Sequence, residues 1–301
     1  MIPVKFCKFH GFGNDYIVIL AEYMAGISSV SDLAKRICHR HTGAGSDGIA
    51  VLEKLDGAEA DYFCEIVNPD GSFAGFSGNG TRCAVAYLHY SGLWAEKDLR
   101  LKTRSGIKNY RLIETFGEGS YRFEAEIGKP KFSSADIPVR TENEAESVID
   151  EIFEIAGVDG QLKIKNQKSK ITASAVNVGN PVACVFVEDF PSDWLAIGCE
   201  METHPKFPDR ANIVFVREID GENIELRIWE RGAGETSASG TCSSGAAVLS
   251  AFTGRTGRKV SVHSPGGVTE VVWRDDDEML LTGRADIAYC GEWFEYDGLT
   301  S

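Results

Sequence analysis

The sequence predicts an α+β protein built as two β-rich halves with a cleft between them. Three observations carry this. Short alternating or apolar segments recur along the chain while helical patterns are few. The pattern restarts around Lys129–Pro138. A glycine-rich turn opening a small-residue helix occurs twice, in "FAGFSGNGTRCAVAYL" (73–88) and in "TSASGTCSSGAAVLSAF" (236–252), an order that points to internal duplication.

In the first half the alternation predicts strands over Lys5–His10, Asp15–Leu20, Gly48–Glu53, Tyr62–Val67, Leu99–Thr103, Lys108–Glu114 and Tyr121–Ile127. A helix is expected over Ser31–Cys38, capped by Ser31, with Val30, Leu33 and Ile37 as its apolar stripe. A second is expected over Thr81–Tyr90, after the Gly78-Asn79-Gly80 turn. In the second half a helix is expected over Glu144–Ala156. Strands follow over Ala173–Val178, Val182–Val187, Ala211–Val216 and Ile224–Trp229, then a helix from Gly240. Strands over Val260–His263, Val268–Trp273, Met279–Thr282 and Ala285–Tyr289 close the chain.

A length of 301 residues suits two domains or one large one, and 43% apolar with 25% charged residues is ordinary for a globular chain. The net charge of −14, with no dense Lys/Arg run, sets nucleic acid aside. No run approaches the roughly 18 apolar residues of a membrane span, and the first residues lack the core of a signal peptide. The eight cysteines include no CxxC pair, so a zinc or dithiol site is not expected and free thiols in a reducing cytoplasm are the simplest account.

The two turns carry the chemistry. A helix N-terminus exposes unpaired N–H groups and partial positive charge, so it attracts an anion, most closely where glycine admits it. Two such termini can hold one carboxylate, with Ser77 and Ser239 flanking its α-carbon; a capping role alone would also account for both serines. Polar residues are placed at other strand ends and turns: Asn14, Asn68, Asn180, Asn212, and Glu230 and Arg231 ahead of the second turn. A lone turn asparagine needs no function, but several joined by an Arg suited to a carboxylate suggest an amino-acid site.

Together these residues resemble the diaminopimelate epimerase family. The matching stretches are "KFHGFGNDYIVI", "RHTGAGSDG", "NPDGS", "SGNGTRC", "NVGNP", "RANIVFV", "ERGAGETSASGT" and "LTGRADIAYCGEWFE", in order over nearly the whole chain. The resemblance implies two pseudo-symmetric domains, each a β-barrel-like sheet around a central helix, over 1–126 and 127–283, with the strand at 284–301 returning to the first and the active-site cleft between them. It implies interconversion of LL- and meso-diaminopimelate, in the pathway to lysine and peptidoglycan precursors, by two-base α-proton transfer. No pyridoxal phosphate, other cofactor or metal takes part. By carry-over, the backbone of Gly78, Asn79, Gly240 and Thr241 holds the reacting carboxylate. Asn14, Asn68, Asn180, Asn212 and Arg231 fix the substrate, and Glu230 holds the amine or assists the second base. A cytoplasmic homodimer is implied, with Tyr289 at the contact; a core position on a closing strand is the alternative for that tyrosine.

Both family cysteines fall on serine here, at Ser77 and Ser239. A thiol titrates near 8.5 and a hydroxyl on the order of 15.7, a gap of about 7 pH units or roughly 10 kcal/mol. Helix dipoles contribute about 1–2 kcal/mol of that. The family's histidine after "GNP" is Val182 and its glutamine after "GSD" is Gly48, which leaves Glu230 as the activator in sight, beside Ser239. Cys83 lies about a turn and a half into its helix; Cys242, one turn in, is expected to point elsewhere. Three readings stay open: a double cysteine-to-serine replacement, a relative with altered chemistry (a slow epimerase, a racemase, dehydratase or isomerase on another amino acid), or a silent protein that binds an amino acid or a partner.

Overall fold

The computed structural model of the chain describes residues 3–156 and 168–294. Residues 1–2 and 295–301, at the outer limits of the expected first domain and its returning strand, lie outside the described residues. The chain divides into two compact units, with breaks at Ala125/Glu126 and Leu281/Thr282 and the last segment belonging to the first unit.

The first unit contains β1 (Val4–Gly11), β2 (Asn14–Leu20), α1 (Val30–Ile37), β3 (Ile49–Lys54), β4 (Tyr62–Val67), β5 (Phe73–Ala74), α2 (Gly78–Tyr90), β6 (Asp98–Thr103), β7 (Gly106–Thr115) and the greater part of β8 (Ser120–Gly128), which runs across the break. β1 pairs antiparallel with β2, β2 parallel with β3, β3 antiparallel with β4, and β4 antiparallel with β5 and parallel with β6, which leads antiparallel through β7 to β8. Residues Asn79 to Leu88 of α2 are all buried, as expected of a helix enclosed by strands rather than lying on a surface. Ser29, not Ser31, caps α1, its hydroxyl accepting from the Asp32 N–H at 3.2 Å. The correction follows from geometry: the cap must precede the first helical residue, and the helix begins at Val30.

The second unit contains β9 (Val148–Ala156), β10 (Lys168–Asn177), β11 (Pro181–Val187), α3 (Trp194–Glu202), β12 (Asn212–Asp220), β13 (Asn223–Glu230), β14 (Gly234–Thr236), α4 (Gly240–Phe252), β15 (Lys259–Ser264) and β16 (Gly267–Trp273). Its ladder repeats that of the first: β10 antiparallel with β11, β11 parallel with β12, β12 antiparallel with β13, and β13 antiparallel with β14 and parallel with β15, which pairs antiparallel with β16. The short strands β5 and β14 each lead into the buried helix of their unit. α1 and α3 occupy the same place in the two orders, between the strands of the parallel pair. The duplication is therefore visible in the hydrogen bonding, and the architecture is α+β with two pseudo-symmetric domains.

The helix expected over Glu144–Ala156 is instead β9. Val148, Ile149, Ile152 and Ile155 are β-branched, and antiparallel pairing with β10 from Ala156↔Lys168 onward uses their preference for a pleated surface. The two closing strands run as one, β17 (Met279–Trp293), whose later part pairs antiparallel with β1. That register sets Cys7 opposite Cys290, and the two form a disulfide, so the expectation of eight free thiols is corrected at this pair. Five other cysteines are buried and Cys199 is exposed. Among the described residues no helix is long and apolar enough to cross a membrane.

Candidate active site

Each buried helix begins on a serine. Ser77 has extended backbone (φ −138°, ψ 119°), and its hydroxyl accepts from the Gly80 N–H at 3.1 Å. Ser239 has the same conformation (φ −147°, ψ 124°) and accepts from the Cys242 N–H at 3.4 Å. Helical geometry leaves the N–H groups of Gly78 and Asn79, and of Gly240 and Thr241, without acceptors inside their helices. A Cβ at Gly240 would come within 2.9 Å of Leu281 Cδ2, so a larger residue in that opening turn requires the leucine tip to shift.

The surroundings of the two serines differ. The Tyr16 hydroxyl, from β2, lies 2.9 Å from Ser77 Oγ. Beside Ser239, the Glu230 carboxyl hydrogen-bonds the serine hydroxyl; burial pushes that carboxyl up from its ordinary value, and the serine bond partly offsets the rise. The Cys242 thiol, at the third helical position, is fully buried in the apolar core of the second unit with Val182 and Cys184. Burial and the nearby Glu230 charge push this thiol well up. Cys83 is buried inside α2 and burial pushes its thiol to about 12.

Asn14 and Asn79 meet in the first unit. Asn79 donates to Asn14 Oδ1 at 3.2 Å, and Asn14 donates to Asp47 Oδ2 at 2.8 Å. Arg82 donates to Asn79 Oδ1 at 2.8 Å, which orients that amide. Asp47 is held by Arg40, whose guanidinium also forks onto Asp15 at 2.6 and 2.8 Å. Burial raises the Asp15 carboxyl, but the bonds and charges of Arg40 and Lys8 outweigh it and hold the group below its ordinary range. Asn68 closes the turn after β4, donating to Ser72 Oγ at 2.9 Å.

Asn180, Asn212 and Arg231 come together in the second unit. The Arg231 N–H donates to Asn212 Oδ1 at 2.9 Å, and its guanidinium donates to Asn180 Oδ1 at 3.0 Å and to the Asp209 carbonyl at 3.1 Å. Glu202 of α3 supports this turn, accepting from Gly232 N–H at 2.9 Å and from Trp229 Nε1 at 2.8 Å. Sequence reasoning missed Tyr16, Asp47, Arg82 and Glu202. Only the short "GSDG" and "GTRC" stretches around Asp47 and Arg82 gave any local signal.

Tyr289 is 41% exposed, so the core alternative for it is corrected; its hydroxyl donates to the Ala44 carbonyl at 2.7 Å. Val182 is fully buried, and a Cβ at Gly245 of α4 would come within 2.8 Å of it. Among the described residues no group of three or more His, Cys, Asp or Glu is placed to hold a metal. A cavity of about 990 Å³ in the second unit, lined by Glu142, Asp150, Glu151 and Lys206 among others, contains none of the expected site residues.

The family model described as diaminopimelate epimerase matches residues 6–132 and 174–288, both serine-capped helices included. The chain is 36% identical to the diaminopimelate epimerase of Caldanaerobacter subterraneus subsp. tengcongensis over 290 residues, which is 96% of this chain and 99% of that protein. The chain belongs to the diaminopimelate epimerase family. The diaminopimelate epimerase of Moorella thermoacetica is 34% identical over 96% of this chain and 99% of its own. Among solved structures, a hydroxyproline epimerase from Agrobacterium vitis is similar in fold at a TM-score of 0.65 and 16% identity, covering 97% of this chain and 91% of that one. A phenazine biosynthesis protein from Bacillus anthracis is similar at 0.66 and 14%, covering 98% and 100%. Membership in this family makes the chain an isomerase by descent, on a scaffold shared by several epimerases and isomerases.

Proposed function

We propose that the protein is a cofactor-independent epimerase that interconverts LL- and meso-diaminopimelate by two-base α-proton transfer. The observation that carries this reading is the pair of serine-capped helix N-termini, one in each duplicated unit. Their free N–H groups suit a carboxylate whose charge grows as the α-proton leaves. One terminus removes the proton and the other returns one to the opposite face of the carbon. At the second, the ionised Glu230 accepts the Ser239 proton as Ser239 accepts the α-proton, and its raised affinity for a proton suits that task. Asn68, Asn180, Asn212 and Arg231 hold chiefly the distal amino-acid end of the substrate, and Asn14 helps to fix it; the distal set favours diaminopimelate over a monocarboxylic amino acid. The protein works as a homodimer that uses the exposed Tyr289 strand.

A second reading has its own support. Serine at both positions, with Val182 and Gly48 where the family places histidine and glutamine, also suits a site that binds without turning over. Proton NMR of LL-diaminopimelate in deuterated water separates the two. Loss of the α-proton signal with appearance of the meso form is the expected result, faster by orders of magnitude in the Ser77→Cys/Ser239→Cys variant. Binding by calorimetry with an unchanged α-proton in both proteins leaves the silent reading. Light scattering on wild type and Tyr289→Ala reads the oligomeric state, and a wild-type monomer removes the dimer.

A further inference from the structure

Tyr16 sits in a slot that two glycines create. Its ring is buried beneath Ser77. A Cβ at Gly48 would lie 2.8 Å from the ring, and a Cβ at Gly80 would lie 2.8 Å from the same ring atom and 3.0 Å from Ile66. Gly80 is the third residue of α2, and its N–H bonds the Ser77 hydroxyl. The corresponding residue of α4 is Cys242, whose N–H bonds Ser239 in the same way. The second terminus thus carries a side chain at the position where the first carries none. The residue that empties the other side of the slot is Gly48, where the family carries a long polar side chain.

We infer that Tyr16 and Ser77 form a proton relay, the phenol supplying through the serine hydroxyl the acidity that the hydroxyl lacks. This rests on the epimerase reading of the site. A phenol ordinarily titrates near 10, about 6 pH units below an aliphatic hydroxyl. When a proton is returned to the substrate, the Tyr16 O–H bond breaks and its proton bonds to Ser77 Oγ. The Ser77 O–H bond breaks in the same step, and its proton takes up the electron pair of the α-carbanion to form the new C–H bond. Tyr16 is left as a phenolate, which water reprotonates. In the reverse direction the phenolate takes the Ser77 proton as Oγ takes the α-proton, and the C–H electron pair stays on the substrate. The serine is the group that meets the substrate; Tyr16 acts behind it as a positioning and relay residue.

The test follows α-hydrogen exchange of LL- and meso-diaminopimelate in deuterated water, from neutral to alkaline pH, in four proteins: wild type, Tyr16→Phe, Ser77→Cys and Ser77→Cys/Tyr16→Phe. Phenylalanine keeps the ring in its slot. The expected result is a loss of about 10²–10⁴-fold in Tyr16→Phe, with its alkaline limb flattened, and little effect of the same change once a thiol stands at position 77. Unchanged exchange in Tyr16→Phe overturns the relay, and so does an equal loss in both backgrounds, which would mark a packing role. An inert wild type beside an active Ser77→Cys/Ser239→Cys variant overturns the relay and leaves the epimerase reading standing. If neither exchanges, the epimerase reading fails, and ring-¹³C tyrosine NMR decides the pair. A Tyr16 resonance that titrates differently in Ser77→Ala supports the relay, and one that titrates identically overturns it.

Discussion

At the scale of single residues, the two serines show how a weak acid can be placed beside a stronger one. Glu230 is the case with a stability consequence. Burial raises its proton affinity above that in the unfolded chain, and the Ser239 bond partly offsets the rise. A group raised in this way contributes stability that is complete below its unfolded value, ordinarily 4.5, and is lost as pH rises through the folded value. Glu230→Gln keeps the neutral shape at every pH. The variant is therefore expected to melt higher than wild type at alkaline pH and equally below 4.5, in calorimetric scans at matched ionic strength; a lower Tm at alkaline pH would contradict the sign. The serines, Asn180, Asn212 and Arg231 were legible in the sequence because turns and helix starts leave local signatures. Tyr16 was not: it reads as one more strand residue, and the hydroxyl it meets is 61 positions away.

At the scale of elements, α2 and β17 fit through one side chain. Arg82 is fully buried, and burial lowers its proton affinity. Its guanidinium lies where a Cβ at Gly283 of β17 would stand, 2.6 Å from Cζ, and a Cβ at Gly11 of β1 would come within 3.2 Å of it. Gly283→Ala should push the guanidinium off Asn79 and reduce stability by about 1–3 kcal/mol, read from the urea midpoint. An unchanged midpoint would mean the arginine moves aside freely. Most strands were legible because alternation survives in sequence. β9 was not, since its acidic residues fall at a spacing that also suits a helix, and only pairing with β10 decides the matter. α3 was missed too: Asp193 stands at its N-cap without making a side-chain cap bond, and "WLAIGCEME" has no clean polar face.

At the scale of the whole molecule, the duplicated order of strands was readable while the covalent closure was not. Cys7 and Cys290 are 283 positions apart, and nothing but strand register brings them opposite each other. A cross-link over so long a loop restricts the unfolded chain strongly. Reduction, or Cys7→Ser/Cys290→Ser, is expected to lower stability by about 2–5 kcal/mol in guanidinium melts, and the double variant should no longer respond to reductant. Equal midpoints in oxidised and reduced protein would show that strand pairing alone suffices.

The return of β17 to β1 also fixes an order of events during translation. Residues 126–281 leave the ribosome as one uninterrupted stretch, whereas the first unit waits for the residues after Leu281 to complete it. Until they emerge, β1 is paired on the β2 side only and offers its other edge to any passing strand. A nascent chain stalled just past Leu281 thus carries every residue of the second unit beside a first unit still open to mispairing.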